Sequence, residues 1–395
     1  FGIDGASPVL IEKWRDELPN LNRIMQGGVY GELESTIPPV TCPAWPCMFT
    51  GKNPGKLGMY GFTTIKPIQQ QDLKINSSSK YNSASLWKIL NDYGRDVGLL
   101  NIPMTFPPHN INKFVVCGVG APEARTDSYT YPPGLKKVLD KETGGYEIWT
   151  PLASPFEGTE NDKYIKAVED VVDKRLKAAK YLMSNYNLDL FICVFWAIDQ
   201  IQHFFWHYMD KTHPLYKDSK YKNVIKHFYK IIDSAIGELI EEIPKDTNIL
   251  VVSDHGFGSE HGNFLVNQWL EANGFLNFRE NVYSHKLNRA LYKMRKLLLS
   301  HISPILANLI ITLAPKPIIR KLAVLNEQKN QILDVYNSID WLHTKAYGCG
   351  TMGMISVNLK GREPQGIVAD GEEFEIVRNR IIEGLRNIVN PNTGE

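Results

Sequence analysis

Three acidic residues, each close behind an apolar run, constrain the fold of this chain most strongly. Short apolar runs bounded by polar residues are typical of strands buried inside an α/β sheet. In an open sheet of this kind, ligands bind at the carboxyl ends of the strands. The sequence therefore predicts that the three carboxylates lie at one edge of an α/β fold. The runs and their acids are Phe1 to Ile3 with Asp4, Leu190 to Ala197 with Asp199, and Ile249 to Ser253 with Asp254.

Two histidines extend these acids to a candidate set of metal ligands. His255 follows Asp254 directly, and His203 lies four residues beyond Asp199. Positions i and i+4 share one face of a helix, so Asp199 and His203 can chelate one ion. Asp and His are the expected ligands for zinc or a similar divalent ion. The alternative for Asp199 and His203 is an acid that caps a helix beside an unrelated histidine.

The segment Val40-Thr41-Cys42-Pro43-Ala44-Trp45 is the candidate catalytic segment. Pro43 suits the first turn of a helix, and the run Ala44 to Thr50 predicts a short helix that ends at Gly51. Thr41 is then predicted just before a helix N-terminus, where backbone N–H groups and the helix dipole favour an anion. A hydroxyl there is well placed to attack a phosphate, although the pattern alone also fits an ordinary helix cap.

In their order along the chain, these stretches resemble the alkaline phosphatase superfamily, in particular its type I phosphodiesterase/nucleotide pyrophosphatase branch. The resemblance implies an alkaline-phosphatase-like sandwich, with a mostly parallel central sheet flanked by helices. Asn358 to Pro364 also looks familial. The stretches that carry the resemblance are Phe1-Gly2-Ile3-Asp4-Gly5, Pro39-Val40-Thr41-Cys42-Pro43-Ala44-Trp45, Asp199-Gln200-Ile201-Gln202-His203 and Ser253-Asp254-His255-Gly256-Phe257-Gly258.

The resemblance also implies a two-metal site for phosphoryl transfer, with Thr41 as the nucleophile. Zinc is the first choice of metal from the Asp and His ligands, and the high share of carboxylates leaves manganese or magnesium open. The backbone N–H of Cys42 is a candidate donor to a phosphate oxygen. The implied ligands are Asp4, Asp254, His255 and Thr41 for one ion, and Asp199 and His203 for the other.

One ligand of this implied site is missing from the sequence. The family's second metal site normally has another histidine, late in the chain near a Gly-x-His turn. His261, His301 and His343 do not stand in that context. The chain begins only three residues before Asp4 and stops directly after a predicted helix. We therefore expect a chain truncated at both ends, with the missing ligand beyond Glu395.

The composition excludes several classes of binding partner and of structural feature. The chain has 395 residues, 43% of them hydrophobic, and a net charge of +1, which argues against general nucleic-acid binding. Its five cysteines show no C-x-x-C spacing, so buried reduced thiols are expected. No apolar run reaches the roughly 18 residues of a membrane span, and no signal peptide is visible. A cytoplasmic location is predicted, and the oligomeric state is left open.

The domain organisation is predicted from a change in amino-acid composition along the chain. Residues 1–274 are predicted to form the catalytic α/β core, and residues 336–395 to return to it. Residues 275–335 are predicted to be a helical insertion or cap, because Lys286 to Leu325 is rich in Lys, Arg and Leu and punctuated by prolines.

The predicted function is that of a metal-dependent phosphohydrolase, of phosphodiesterase or nucleotide pyrophosphatase type, acting on a small phosphate ester or nucleotide. The alternatives are a phosphomutase or phosphomonoesterase on the same site, or a catalytically silent family member. A sulfatase is set aside, because Cys42-Pro43-Ala44-Trp45 does not fit the pattern that precedes formylglycine. Five aromatic residues near these motifs are candidates to stack on a base, although aromatic rings more often pack cores: Trp45, Tyr60, Phe62, Phe204 and Phe205.

Overall fold

The computed structural model describes residues 1–64, 74–81, 83–121, 127–150, 152–155, 158–279, 335–350 and 352–389. The chain divides into two compact units, Phe1–Thr64 with Ile75–Asn263, and Ile65–Lys74 with Phe264–Glu395. Most of the predicted insertion lies outside the described residues, so the predicted domain boundaries stay a prediction. No helix within the described ranges has the length and apolar character needed to cross a membrane.

The helices and strands are numbered in chain order. The helices are α1 (Pro8–Lys13), α2 (Pro19–Gly27), α3 (Thr41–Thr50), α4 (Pro54–Leu57), α5 (Leu86–Asp92), α6 (Leu135–Thr143), α7 (Asn161–Asn185), α8 (Ala197–Met209), α9 (Val224–Glu241), α10 (Val266–Ala272) and α11 (Glu372–Arg386). The strands are β1 (Gly2–Ile3), β2 (Thr63–Thr64), β3 (Lys74–Ile75), β4 (Val97–Ile102), β5 (Phe114–Cys117), β6 (Thr130–Tyr131), β7 (Leu190–Phe195), β8 (Ala346–Cys349) and β9 (Met354–Val357).

The first unit is built on a five-stranded sheet with the order β1-β7-β4-β5-β6. The pairs β1–β7, β7–β4 and β4–β5 are parallel, and β6 is antiparallel to β5. On the free side of β1, Val252 adds an isolated parallel bridge to Gly2, and its carbonyl accepts from the N–H of Ile3 at 2.9 Å. This mostly parallel sheet, flanked by helices, confirms the predicted α/β class.

The centre of the sheet is apolar on both faces. Every residue of β4 is buried, as the nearly continuous apolar sequence of this strand predicts for a position covered by helices. Close packing explains the glycine in this strand, because a Cβ on Gly98 would lie 2.4 Å from the ring of Phe114. On one face, the amphipathic helix α7 buries Val168, Val172 and Leu182 against this core.

Two segments with strand-like sequence are not regular strands in the structure. The apolar run Ile249 to Ser253 is reduced to the single bridge at Val252, with Leu250 exposed. The stretch Val29 to Leu33, whose composition favours a strand, is not a strand at all. Its apolar side chains are exposed, and no strand among the described residues pairs with it. Strand formation depends on such a partner, because a lone segment has no ladder of backbone hydrogen bonds.

The second unit has a small core of its own. Strands β8 and β9 pair antiparallel, with Ala346 opposite Val357. Helices α10 and α11 contribute Leu270 and Val377 to the buried cluster around this hairpin. The Asn358 side chain, at the end of β9, donates through Nδ2 to three backbone carbonyls and so ties the surrounding loops together.

Candidate metal centre

The first cluster of predicted ligands, formed by Asp4, Asp254 and His255, lies at the carboxyl edge of the sheet, as the sequence predicts. Asp4 follows β1, and Asp254 and His255 follow the bridge at Val252. One ligand atom each from Asp4, Asp254 and His255 lies within 4.8 Å of the others. His255 Nε2 is 3.6 Å from Asp4 Oδ1 and 3.4 Å from Asp254 Oδ2. These three groups therefore converge without any further rearrangement of the chain.

Thr41 joins this cluster through its hydroxyl. Its Oγ1 lies 3.2 Å from Asp4 Oδ1 and 3.2 Å from His255 Nε2. The residue begins α3 itself, with Val40 as the flanking N-cap, so the helix starts three residues earlier than the predicted run from Ala44. The helix ends at Gly51, whose left-handed φ of 63° confirms the predicted end.

The tautomer of His255 follows from its second nitrogen. Nδ1 lies 2.8 Å from the carbonyl oxygen of Gly256, and a carbonyl can only accept a hydrogen bond. Nδ1 therefore carries the hydrogen. In the neutral ring, Nε2 then presents its lone pair to Asp4, Thr41 and Asp254, as a metal-ligating histidine does.

The second predicted pair adjoins the first cluster. Asp199 and His203 lie on α8, and His203 Nε2 is 3.5 Å from Asp199 Oδ1. The same Asp199 oxygen is 4.0 Å from His255 Nε2. His203 is open to solvent, with 58% of its side chain exposed. Partial loss of hydration on its inner side lowers the pKa of His203, but the neighbouring Asp199 carboxylate and the charge of Glu260 outweigh this effect and raise the pKa above its usual range.

Negative charge accumulates at this edge of the sheet. Burial raises the pKa of Asp4 well above its usual range, and the nearby charges of Asp254 and Asp199 raise it further. Burial also raises the pKa of Asp254 to about 6. Within the described part of the chain, Asp254 Oδ2 and Asp199 Oδ1 are buried and make no hydrogen bond. Carboxylates buried in this way are normally paired or bound to a metal, so the donor set fits divalent cations.

Gly5 connects the two sets of ligands through the two polar groups of its backbone. Its N–H donates to Asp254 Oδ1 at 3.1 Å, and its carbonyl accepts from Gln202 Nε2 at 2.7 Å. Tyr229 supports Gln202 in turn, since its hydroxyl donates to Gln202 Oε1 at 3.2 Å. Gly5 has a left-handed φ of 69°, which favours glycine. A glycine directly after Asp4 was the available signal.

A family model described as type I phosphodiesterase / nucleotide pyrophosphatase matches residues 1–391. The chain belongs to this family. No curated protein matches it. Two solved structures of phosphonoacetate hydrolase from Sinorhizobium meliloti 1021, in complex with phosphonoformate and with phosphonoacetate, are similar at 17% and 16% identity and a TM-score of 0.46 each. The matches cover 64% and 71% of this chain, but 55% and 64% of those chains.

Two aromatic residues of this phosphodiesterase-family chain differ from the prediction. Trp45 and Phe205 were candidates to stack on a base, but both side chains are buried in the core of the first unit. They cannot present a ring face to a substrate. Trp45 has a different contact, because its indole N–H donates to Asp4 Oδ2 at 2.7 Å.

No second histidine late in the chain completes the pair Asp199 and His203 among the described residues of this family member. His261 is exposed on the loop after Asp254, and His301 lies outside the described residues. His343 belongs to the second unit, where its Nδ1 lies 2.8 Å from Asp340. A further ligand of the second ion therefore stays a prediction.

Proposed function

We propose that the protein is a metal-dependent phosphohydrolase, of phosphodiesterase or nucleotide pyrophosphatase type, with Thr41 as its nucleophile. One observation carries this proposal: Thr41 Oγ1 lies 3.2 Å from both Asp4 and His255, inside the carboxylate and imidazole cluster. A threonine hydroxyl is a weak nucleophile until a base or a cation activates it. The hydroxyl is buried where a cation would be held, which is the arrangement that such activation requires. Family membership supports the same reaction class.

Two divalent ions, zinc by first choice, are part of the proposal. Bound ions would supply the positive charge that lowers the pKa of the attacking hydroxyl and neutralises phosphate oxygens. The buried oxygens Asp254 Oδ2 and Asp199 Oδ1, which make no hydrogen bond among the described residues, support both positions. The proposed ligands are Asp4, Thr41, Asp254 and His255 for the first ion, and Asp199 and His203 for the second.

The chain's own groups would divide the reaction into two displacements. Once deprotonated, Thr41 Oγ1 bonds to phosphorus, and the leaving group departs with the electrons of its P–O bond. Water then displaces threonine from the phospho- or nucleotidyl-threonine intermediate. The Cys42 N–H lies in the first turn of α3, where N–H groups have no partner within the helix, and would donate to a phosphate oxygen. Burial of Thr41 would limit competing access of water to the nucleophile.

The proposed substrates are small phosphate esters or nucleotides. The test uses the purified full chain, metal-free and after addition of Zn²⁺, with bis(p-nitrophenyl) phosphate as the diester and p-nitrophenyl phosphate as the monoester. We expect nearly two metal ions per chain by mass spectrometry and faster turnover of the diester. A protein that binds no metal under metal-replete conditions would contradict the mechanism. Preference for the monoester would favour a phosphomonoesterase instead.

Thr41→Ala tests the nucleophile. The variant should lose turnover, by at least about 100-fold, and keep most of its bound metal, because Asp4, Asp254 and His255 are unchanged. Thr50→Ala is the matched control, since Thr50 lies on the same helix and its hydroxyl donates to Pro46 O at 2.6 Å, away from the cluster. If Thr41→Ala retains full activity, Thr41 is not the nucleophile.

A further inference from the structure

Helix α3 contacts both oxygens of Asp4. Thr41, at the start of the helix, lies 3.2 Å from Oδ1, and Trp45, four residues later on the same face, donates from Nε1 to Oδ2 at 2.7 Å. Asp4 and Trp45 are both completely buried. The indole nitrogen can only donate a hydrogen bond, so Trp45 is the donor and Asp4 is the acceptor.

The two carboxylate oxygens of Asp4 therefore have different neighbours. Oδ2 is occupied by the indole N–H, and Oδ1 is the oxygen that faces the cluster, 3.6 Å from His255 Nε2. Asp254 shows the same division: its Oδ1 accepts from the Gly5 N–H, and its Oδ2 is buried without a hydrogen bond within the described residues. Each carboxylate thus has one oxygen anchored and one oxygen directed at the same space.

The indole ring has little freedom to leave this position. It stacks on Phe49 with ring centroids 5.9 Å apart and an interplanar angle of 14°. On the side of β1, a Cβ on Gly2 would lie 2.5 Å from Cη2 of Trp45, so the backbone of Gly2 packs closely against the ring. A donor fixed by packing orients its acceptor, whereas a mobile donor would follow it.

We propose that Trp45 is a positioning residue, which holds Asp4 in the rotamer that offers Oδ1 alone to the first metal ion. This inference rests on the proposed function, because it concerns the ion held by Asp4, Asp254 and His255. Without the indole N–H, Oδ2 would be a buried acceptor with no partner, and the carboxylate would be free to rotate. Trp45 would thus act on the metal through Asp4, without touching the ion or the substrate.

Trp45→Phe tests this inference, because it retains an aromatic ring and removes the N–H. The readout is the dissociation constant for Zn²⁺, measured on the metal-free full chain by competition with a chromogenic chelator. We expect the affinity of the tighter site to fall about 10- to 100-fold, the usual effect of losing a group that orients a metal ligand. Should Trp45→Phe fail to fold, Trp45→Met fills the space with a flexible side chain that also lacks the donor.

Trp87→Phe is the control. Trp87 is equally buried and packs against the same Phe49, but its indole N–H points to His109 Nδ1 at 3.4 Å. This variant should lose thermal stability and keep its Zn²⁺ affinity within about twofold. Wild-type affinity in folded Trp45→Phe or Trp45→Met would overturn the inference and leave the proposed function intact. If the wild-type protein itself binds no Zn²⁺, the proposed function fails and the inference with it.

Discussion

Gly5 and Asp199 are packed so closely that a side chain on Gly5 would collide with the carboxylate. A Cβ at this position would lie 3.0 Å from Asp199 Oδ1 and 3.1 Å from its Cβ. Asp199 is 194 residues away in sequence (199 minus 5) and belongs to the second set of proposed ligands. The loop that follows Asp4 therefore also determines where Asp199 can lie.

Gly5→Ala is expected to weaken metal binding at the second site as well as stability. The new methyl group would displace Asp199 from its present position, and the left-handed backbone would cost about 1–2 kcal/mol in addition. Gly51→Ala is the control for the backbone cost alone, since Gly51 has φ 63° and an added Cβ there would meet nothing within 4 Å. Metal stoichiometry by mass spectrometry and unfolding in urea would separate the two effects. Equal metal content in both variants would show that the contact with Asp199 has no role in binding.

Removing metal is expected to destabilise the first unit. With no cation present, Asp4, Asp199 and Asp254 lie buried together, and repulsion between them opposes folding. An ion present at 100 times its dissociation constant would stabilise the folded state by about 2.7 kcal/mol. Calorimetry of the wild-type protein, with Zn²⁺ and then with an excess of chelator, should show a fall in melting temperature of several degrees. In Asp254→Asn the shift should be much smaller, and an equal shift there would place the ion elsewhere.

Asp233→Ala is expected to destabilise the protein without affecting the proposed reaction. Asp233, buried on α9, accepts from the N–H of Leu21 at 2.7 Å and from the Asn20 side chain at 3.0 Å. It therefore satisfies backbone donors at the start of α2, and none of these contacts involves a proposed metal ligand. Leaving these donors unpaired should cost about 1–3 kcal/mol in the free energy of unfolding.

Urea unfolding would measure this loss, with Asp92→Ala as the control. Asp92 pairs with Lys88 at 2.8 Å on the exposed face of α5, and such pairs contribute about 0–1 kcal/mol. A loss in Asp233→Ala no larger than that in Asp92→Ala would show that the capping contact adds no stability. The Zn²⁺ affinity should be unchanged in both variants.

The order of strands and acids along the chain was sufficient to predict the α/β class and the first cluster. Asp4 and Asp254 each follow a short apolar run, and parallel strands place their carboxyl ends at one edge. The i to i+4 spacing of Asp199 and His203 likewise predicted that the two side chains would lie together on α8. These features depend on local periodicity, which can be seen in the sequence.

Other features were decided only by the tertiary structure. Val29 to Leu33 has the composition of a strand, but it has no neighbour to pair with among the described residues. Trp45 has a side chain typical of a protein core, and it is buried there. Its indole N–H also donates a hydrogen bond to Asp4, 41 residues earlier in the chain. The contact of Gly5 with Asp199 spans a still longer separation. Side-chain type indicates what a residue can bind, but packing between distant segments decides which partner it meets.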